Sequence, residues 1–174
     1  MNKENRKELV MAKNAKQSEE KTNVMRILDG KKIKYNHYCY LDSGAVSGME
    51  VAQVLNEDPN RVFKTLVTIG KTNTNYVFVI PVNQELDLKK AAASVGEKKI
   101  DMLKSKDLLG LTGYVHGGCS PIGMKKVFRT VIHQTAEDFA TIIFSAGKIG
   151  YQVEVSLSDL QKVIRTEVAD LIVE

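Results

Sequence analysis

Cysteine is scarce in this chain: Cys39 and Cys119 are the only two. Neither belongs to a Cys-x-x-Cys pair, and no neighbouring histidine–cysteine set supplies tetrahedral ligands, so a structural zinc is not expected. Histidine is as sparse. His37, His116 and His133 stand far apart in the sequence, and a core or surface position accounts for each more readily than catalysis does. Long apolar runs are missing too. The most apolar stretch, around Tyr76 to Val82, falls far short of the roughly 18 residues a membrane span needs, and no N-terminal apolar run precedes a small-residue cleavage site. These absences lead to the expectation of a reducing, cytoplasmic protein with no metal, no cofactor and no membrane. A strong excess of one charge is also lacking. The net charge is +4, which allows a nucleic-acid partner without demanding one. Lysines recur in short groups (Lys31, Lys32 and Lys34; Lys89 and Lys90; Lys98 and Lys99; Lys125 and Lys126), and each group reads as a solvated face unless several converge.

What is present suits one domain: 174 residues, 43% of them hydrophobic, with no repeat, linker or low-complexity segment dividing them. Met1 to Lys21 is polar and mixed in charge, a leader that is either a frayed helix or disordered. The folded unit is expected over residues 22–174. Thr22 can cap a helix whose Val24, Ile27 and Leu28 share a face and which Gly30 ends. Ile33 to Leu41 reads as a strand carrying Tyr35, Tyr38 and Tyr40. Met49 to Leu55 reads as a helix closed by Asp58-Pro59. Val62 to Ile69 and Tyr76 to Val82 form a hairpin around the polar turn Gly70 to Asn75. A helix follows from Leu86, with Asp87 near its start, and Ile100 to Leu103 and Lys106 to Leu111 are short connecting elements. Lys125 to Ile132 and Ala140 to Phe144 read as strands, with a turn of helix at Thr135 to Asp138. Gln152 to Val155 reads as the last strand, and Ser158 as the cap of a closing helix that runs through Leu160, Val163 and Ile164 to Ile172.

Two features stand out chemically. Lys64 lies in an apolar strand on the same face as Val62 and Leu66. A lysine there either guards a sheet edge against aggregation or is a desolvated cation beside a cleft. The stretch Gly117-Gly118-Cys119-Ser120-Pro121-Ile122-Gly123 joins glycines, which let a backbone approach a ligand, to a proline that fixes its own φ. Such a loop can aim N–H donors at a carbonyl or phosphate oxygen, or merely connect two strands. A second small-residue loop, Ser145-Ala146-Gly147-Lys148-Ile149-Gly150, could close the same cleft.

Taken in order and spacing, Lys64-Thr65, Leu86-Asp87-Leu88-Lys89-Lys90, Thr112-Gly113-Tyr114, the Gly117 to Gly123 loop and Ser145-Ala146-Gly147-Lys148 resemble the YbaK/EbsC family of aminoacyl-tRNA deacylases. The resemblance runs from about Thr22 to the C-terminus and is nearest to the Cys-tRNA(Pro) deacylase branch. Each motif is weak alone; the set is specific. It implies an α/β fold: a single domain with a mixed, barrel-like β-sheet flanked by helices. It also implies that the family's key lysine is Lys64 with Thr65 beside it, that its Gly-x-x-x-Pro is Gly117 to Pro121, that its pocket tyrosine is Tyr40, and that its Ser-x-Gly-Lys loop is Ser145, Gly147 and Lys148. Catalytic roles then fall on Lys64 and Gly117. Substrate contacts fall on Tyr40, Thr65, Gly118, Ser120, Pro121, Ser145 and Gly147. Two positions depart from the pattern, Ser47 where a phenylalanine is expected and Gln152 where an aspartate is, and both bear on the pocket walls.

The implied activity is trans-editing, the removal of cysteine from mischarged Cys-tRNA(Pro) and also from Cys-tRNA(Cys), with tRNA-Pro and prolyl-tRNA synthetase as partners. No assigned base accompanies Cys119 or Ser120. The family reading accounts for that: the substrate's own thiol attacks the ester and leaves as a thiolactone, a lyase-type rather than a hydrolase-type reaction. Three alternatives stay open: Cys119 as a covalent nucleophile, hydrolysis of Ala-tRNA(Pro) by water, and a non-catalytic RNA-binding module.

Overall fold

The computed structural model describes residues 20–174, so the expected leader lies, up to residue 19, outside the described residues. The elements in chain order are α1 (Asn23–Gly30), β1 (Asn36–Cys39), a short 3-10 turn (Leu41–Ser43), α2 (Gly48–Leu55), β2 (Phe63–Gly70), β3 (Asn75–Pro81), α3 (Leu88–Val95), β4 (Ile100–Met102) and α4 (Ser105–Thr112). Then come β5 (Arg129–His133), a second 3-10 turn (Gln134–Asp138), β6 (Ile142–Ser145), β7 (Tyr151–Val155), α5 (Leu157–Val163) and β8 (Thr166–Ala169).

The helix starts obey local capping chemistry. Thr22 accepts from the Met25 amide, and Asp87 accepts from the amides of both Lys89 and Lys90, each satisfying donors that a first turn leaves without partners. Ser47 opens α2 with a full capping box, exchanging bonds with Glu50. The α2 helix ends at Asn56 in the left-handed conformation with φ 54°, ahead of Asp58-Pro59. The serine that stands where the family pattern expects a phenylalanine thus has a structural task of its own.

The strands form two sheets, a three-stranded one in the order β1-β7-β6 and a five-stranded one in the order β4-β2-β3-β5-β8. β2 and β3 are the expected hairpin, in register from Phe63↔Pro81 to Ile69↔Asn75. One isolated bridge, Val62↔Ile143, ties the two sheets together, and no closed barrel is found among the described residues. The larger core lies between the sheets. Val67, Val77, Val79 and Ile132 from one side meet Phe144, Tyr151 and Val153 from the other, and α1 seals it with Val24, Met25 and Leu28. The opposite face of the five-stranded sheet, with Phe78, Ile80 and Val131, packs on Ala91, Ala92 and Val95 of α3. The opposite face of the smaller sheet is covered by Val51 and Leu55 of α2 with Tyr40. β3 is buried on both faces, which is why it reads as an unbroken apolar run rather than an alternating one.

The C-terminal region departs from expectation. Ser156, not Ser158, caps the last helix, accepting from the Asp159 amide, and the helix stops at Ile164, whose φ of −130° and ψ of 146° are extended. The chain then adds β8 to the sheet, parallel to β5 with Thr130↔Thr166 and His133↔Ala169 paired. The β-branched residues Val163, Ile164, Thr166 and Val168 suit a strand better than a helix, and burial of Leu160 and Leu171 fixes both ends. Replacing Ser156 by Ala is expected to lower unfolding free energy by about 1 kcal/mol, whereas Ser158→Ala changes it by less than about 0.5 kcal/mol. Urea denaturation of the two variants checks this.

Candidate functional site

The cleft begins with a strand that outlasts its partner. β4 pairs only with Thr68, Ile69 and Gly70 of β2, and one further bond, from the Leu103 amide to the Val67 carbonyl at 3.1 Å, ends that contact. Because N–H and C=O groups alternate sides along a strand, Thr65 presents its backbone to the same edge as Val67. Among the described residues no strand covers that edge there. The opening lies between the end of β4 and the Val62–Ile143 bridge.

Around the gap is a cleft of about 510 Å³. β2 supplies Lys64, Thr65 and Leu66, the start of α2 supplies Ser47 to Met49, and β4 and α4 supply Met102, Leu103 and Leu108. The glycine-bracketed loop contributes His116, Gly117 and Cys119, and the smaller sheet contributes Tyr40, Ser145 and Gln152. Five of the residues proposed from sequence, Lys64, Thr65, Gly117, Tyr40 and Ser145, are therefore brought together from four separate parts of the chain.

The other four lie behind the cleft wall and shape the loops. Gly118 packs against the second loop so closely that a Cβ would sit 3.1 Å from the Ile149 nitrogen, and its own amide is bonded to the Val115 carbonyl at 3.0 Å. Ser120 is fully buried and accepts from the Ile122 amide at 3.3 Å. Pro121 faces a separate groove with Phe128 and Val163. Gly147 has φ +87° and no room for a side chain beside Tyr114 and Val24. Lys148 points elsewhere, ion-paired with Glu20 and lying 5.3 Å from the centre of the Tyr151 ring.

Three electrostatic features give the cleft its chemistry. Lys64 has no hydrogen bond or ion pair among the described residues, and burial lowers its pKa, partly offset by the field of Glu85. The amides of Gly117 and Cys119 carry no hydrogen bond among the described residues, so they are free donors. Thr65 Oγ1 and Gln152 Oε1 are buried and have no partner, an unfavourable state that a polar ligand would relieve. Gln152 itself is oriented by donating from Nε2 to the Tyr40 hydroxyl at 3.3 Å.

Among the described residues no activated nucleophile lines the cleft. Burial pushes the Cys119 thiol up to about 12, so it is protonated at neutral pH, and His116 makes no hydrogen bond to it or to a wall serine among the described residues. Sequence reasoning did not assign His116, Gln152 or the apolar wall from α2 and α4 to the site; only the departure at Gln152 hinted at one of them. Alkylation checks the thiol: iodoacetamide at pH 8 is expected to label Cys119 slowly in the folded protein and at an ordinary thiol rate in guanidinium. Fast labelling of the native state would contradict the burial.

The family described as an aminoacyl-tRNA editing domain matches residues 43–163. A protein of Enterococcus faecalis, provisionally named Cys-tRNA(Pro)/Cys-tRNA(Cys) deacylase EbsC, is 48% identical over 142 residues, which is 81% of this chain and 87% of that relative. Among solved structures, one described provisionally as a trans-editing enzyme for prolyl-tRNA synthetase superposes with a TM-score of 0.77 at 20% identity, covering 89% of this chain and 100% of its own. A hypothetical protein of known crystal structure gives 0.80 at 18% identity, covering 87% of this chain and 100% of its own. At these identities the two structures speak to the fold alone.

Proposed function

The chain belongs to the aminoacyl-tRNA editing-domain family, and from that premise we propose that it is a trans-editing deacylase that removes cysteine from Cys-tRNA(Pro) and from Cys-tRNA(Cys). The observation that carries this reading is an unpaired cation, Lys64, sharing one cleft with two free loop amides and with no activated protein nucleophile. An aminoacyl ester joins a carbonyl to a terminal ribose on a polyanionic strand, and such a cleft offers each of these a partner.

In this reading Lys64 lies against the terminal ribose and the ester, where its charge attracts the polyanion and stabilises negative charge growing on the departing oxygen. Gly117 and Cys119 direct N–H groups at the carbonyl oxygen as charge develops on it. Thr65 and Ser145 give polar contacts, and Tyr40 lines the aminoacyl pocket. The attacking group is the cysteine's own thiol. Its sulfur bonds to the carbonyl carbon, the bond from that carbon to the ribose oxygen breaks, and the thiol proton passes to the ribose oxygen. Free tRNA and a cyclic thiolactone result. The protein's contribution is to hold sulfur and carbonyl in reacting geometry and to exclude bulk water. The reaction belongs in the cytoplasm, with tRNA-Pro selected through association with prolyl-tRNA synthetase.

Lys64→Ala is expected to lower kcat/KM on Cys-tRNA(Pro) by about 10² or more while leaving the far-UV circular dichroism spectrum unchanged. Cys119→Ala is expected to change it by only about three-fold, since that side chain acts as a small, partly buried hydrophobe in the wall. Wild-type protein should cleave Cys-tRNA(Pro) and Cys-tRNA(Cys) faster than Ala-tRNA(Pro). Full activity in the Lys64 variant would sink the assignment, and loss of activity in the Cys119 variant would establish covalent catalysis instead. Salt-sensitive tRNA binding with every ester intact would show a binding module.

A further inference from the structure

The wall of the cleft carries Lys64, His116, Cys119 and Tyr40 as its ionisable groups and, among the described residues, no carboxylate. Carboxylates nearby are engaged or lie outside the wall. Glu154 shares a face of β7 with Gln152, but it accepts from Arg61 at 2.8 Å, from Thr141 at 2.6 Å and from the Tyr38 hydroxyl. Glu85, exposed beyond the cleft, acts on Lys64 at a distance. The start of α2 and the stretch from β4 into α4 add no charge to the wall. Two side-chain oxygens of the wall, Thr65 Oγ1 and Gln152 Oε1, are left without a partner among the described residues; the threonine hydroxyl can donate as well as accept, whereas Gln152 Oε1, on a residue 6% exposed and held in place through the Nε2 bond to Tyr40, can only accept.

An aminoacyl ester brings an α-amino group into this space. As an ammonium it would place a second full charge in a partly desolvated cleft beside Lys64, with no anion to answer it, an arrangement that burial penalises heavily. As a neutral amine it needs only an acceptor for an N–H, and a group with an unperturbed pKa of about 7.7–8.0 gives up its proton at small cost near neutrality. We propose that Gln152 Oε1 accepts a hydrogen bond from the substrate's α-amino group and that the cleft takes this group as the uncharged amine. The proposal rests on the editing function above and assigns Gln152 as the residue that orients the aminoacyl end. It follows that binding weakens as pH falls through the amine's titration and is strongest above it, opposite to the behaviour of a site that holds an ammonium with a carboxylate.

A non-reactive pair of ligands tests this: 3′-deoxy-3′-(L-alanylamino)adenosine, and its desamino counterpart bearing a propionylamino group. Calorimetric titration of the wild-type protein should show the amine-bearing ligand tightening by about twenty-fold from pH 6.5 to pH 8.5, the change expected from the neutral fraction of an amine with an ordinary pKa. The desamino ligand should stay flat, which excludes a pH effect common to both ligands. Gln152→Glu, checked for an unchanged Tm, should bind the amine-bearing ligand more tightly than wild type at pH 6.5 and lose or reverse the pH dependence. Equal binding of the amine-bearing ligand at both pH values, or tighter binding at pH 6.5 by the wild type, overturns the inference while leaving the editing function intact. Failure of both ligands to bind at either pH overturns both.

Discussion

The site depends on a mismatch of strand lengths. β2 spans Phe63–Gly70, and β4, the neighbour on its outer side, spans only Ile100–Met102. Beyond Val67 the strand continues with β3 on one flank and, among the described residues, no strand on the other, until Val62 reaches across to Ile143 of the second sheet. An exposed run of backbone donors and acceptors is ordinarily a hazard. Here it is enclosed by the glycine-bracketed loop, by Tyr40, Ser145 and Gln152, by the start of α2 and by α4, so the bare edge becomes the floor of a cleft. If β4 were three residues longer, Thr65 would be paired with protein and the space would close.

The electrostatics of the cleft follow from that enclosure. A lysine on an ordinary sheet edge would be fully solvated, whereas Lys64 has lost enough water for its pKa to be lowered and has gained no ion pair among the described residues in return. Free amides at Gly117 and Cys119 and orphan atoms on Thr65 and Gln152 add to the same imbalance. Each is a departure from the rule that buried polar groups find partners, and these meet in one cleft, whereas the other orphan atoms, on Arg61, Thr135 and Thr166, lie outside it. The rest of the protein offsets them conventionally: two cores, a buried central strand and well-capped helices. In the proposed mechanism the protein supplies orientation and charge and the chemistry falls to the substrate, which accords with a partly buried wall cysteine whose thiol is held protonated.

Much of this was legible in the sequence. The caps at Thr22 and Asp87, the β2–β3 hairpin and the apolar β3 follow from local patterns that local structure obeys. Lys64 stood out because a charged residue interrupts an apolar alternation, and the Gly117 loop because its glycines and proline impose unusual backbone geometry. The end of the chain was misread because Val163, Ile164 and Val168 keep a helical spacing of apolar residues, while the open edge of β5 offers a tertiary partner that spacing alone cannot show. The loop glycines were read as one group. Yet Gly117 faces the cleft while Gly118 and Gly147 secure loop packing, a division that depends on which residues meet across the fold. Gln152 was noticed only as a departure, since the Oε1 left without a partner appears only once β1 and β7 are paired and Tyr40 takes the amide nitrogen.

In the proposed mechanism the protein positions an ester for attack by a thiol the substrate brings with it. The most direct test is identification of the first product released from Cys-tRNA(Pro) in a single turnover, quenched rapidly and resolved by mass spectrometry. The account predicts cysteine thiolactone in equal amount to deacylated tRNA, preceding any free cysteine, with no acyl group on the protein. Free cysteine appearing first, or a cysteinyl adduct on Cys119, would contradict it.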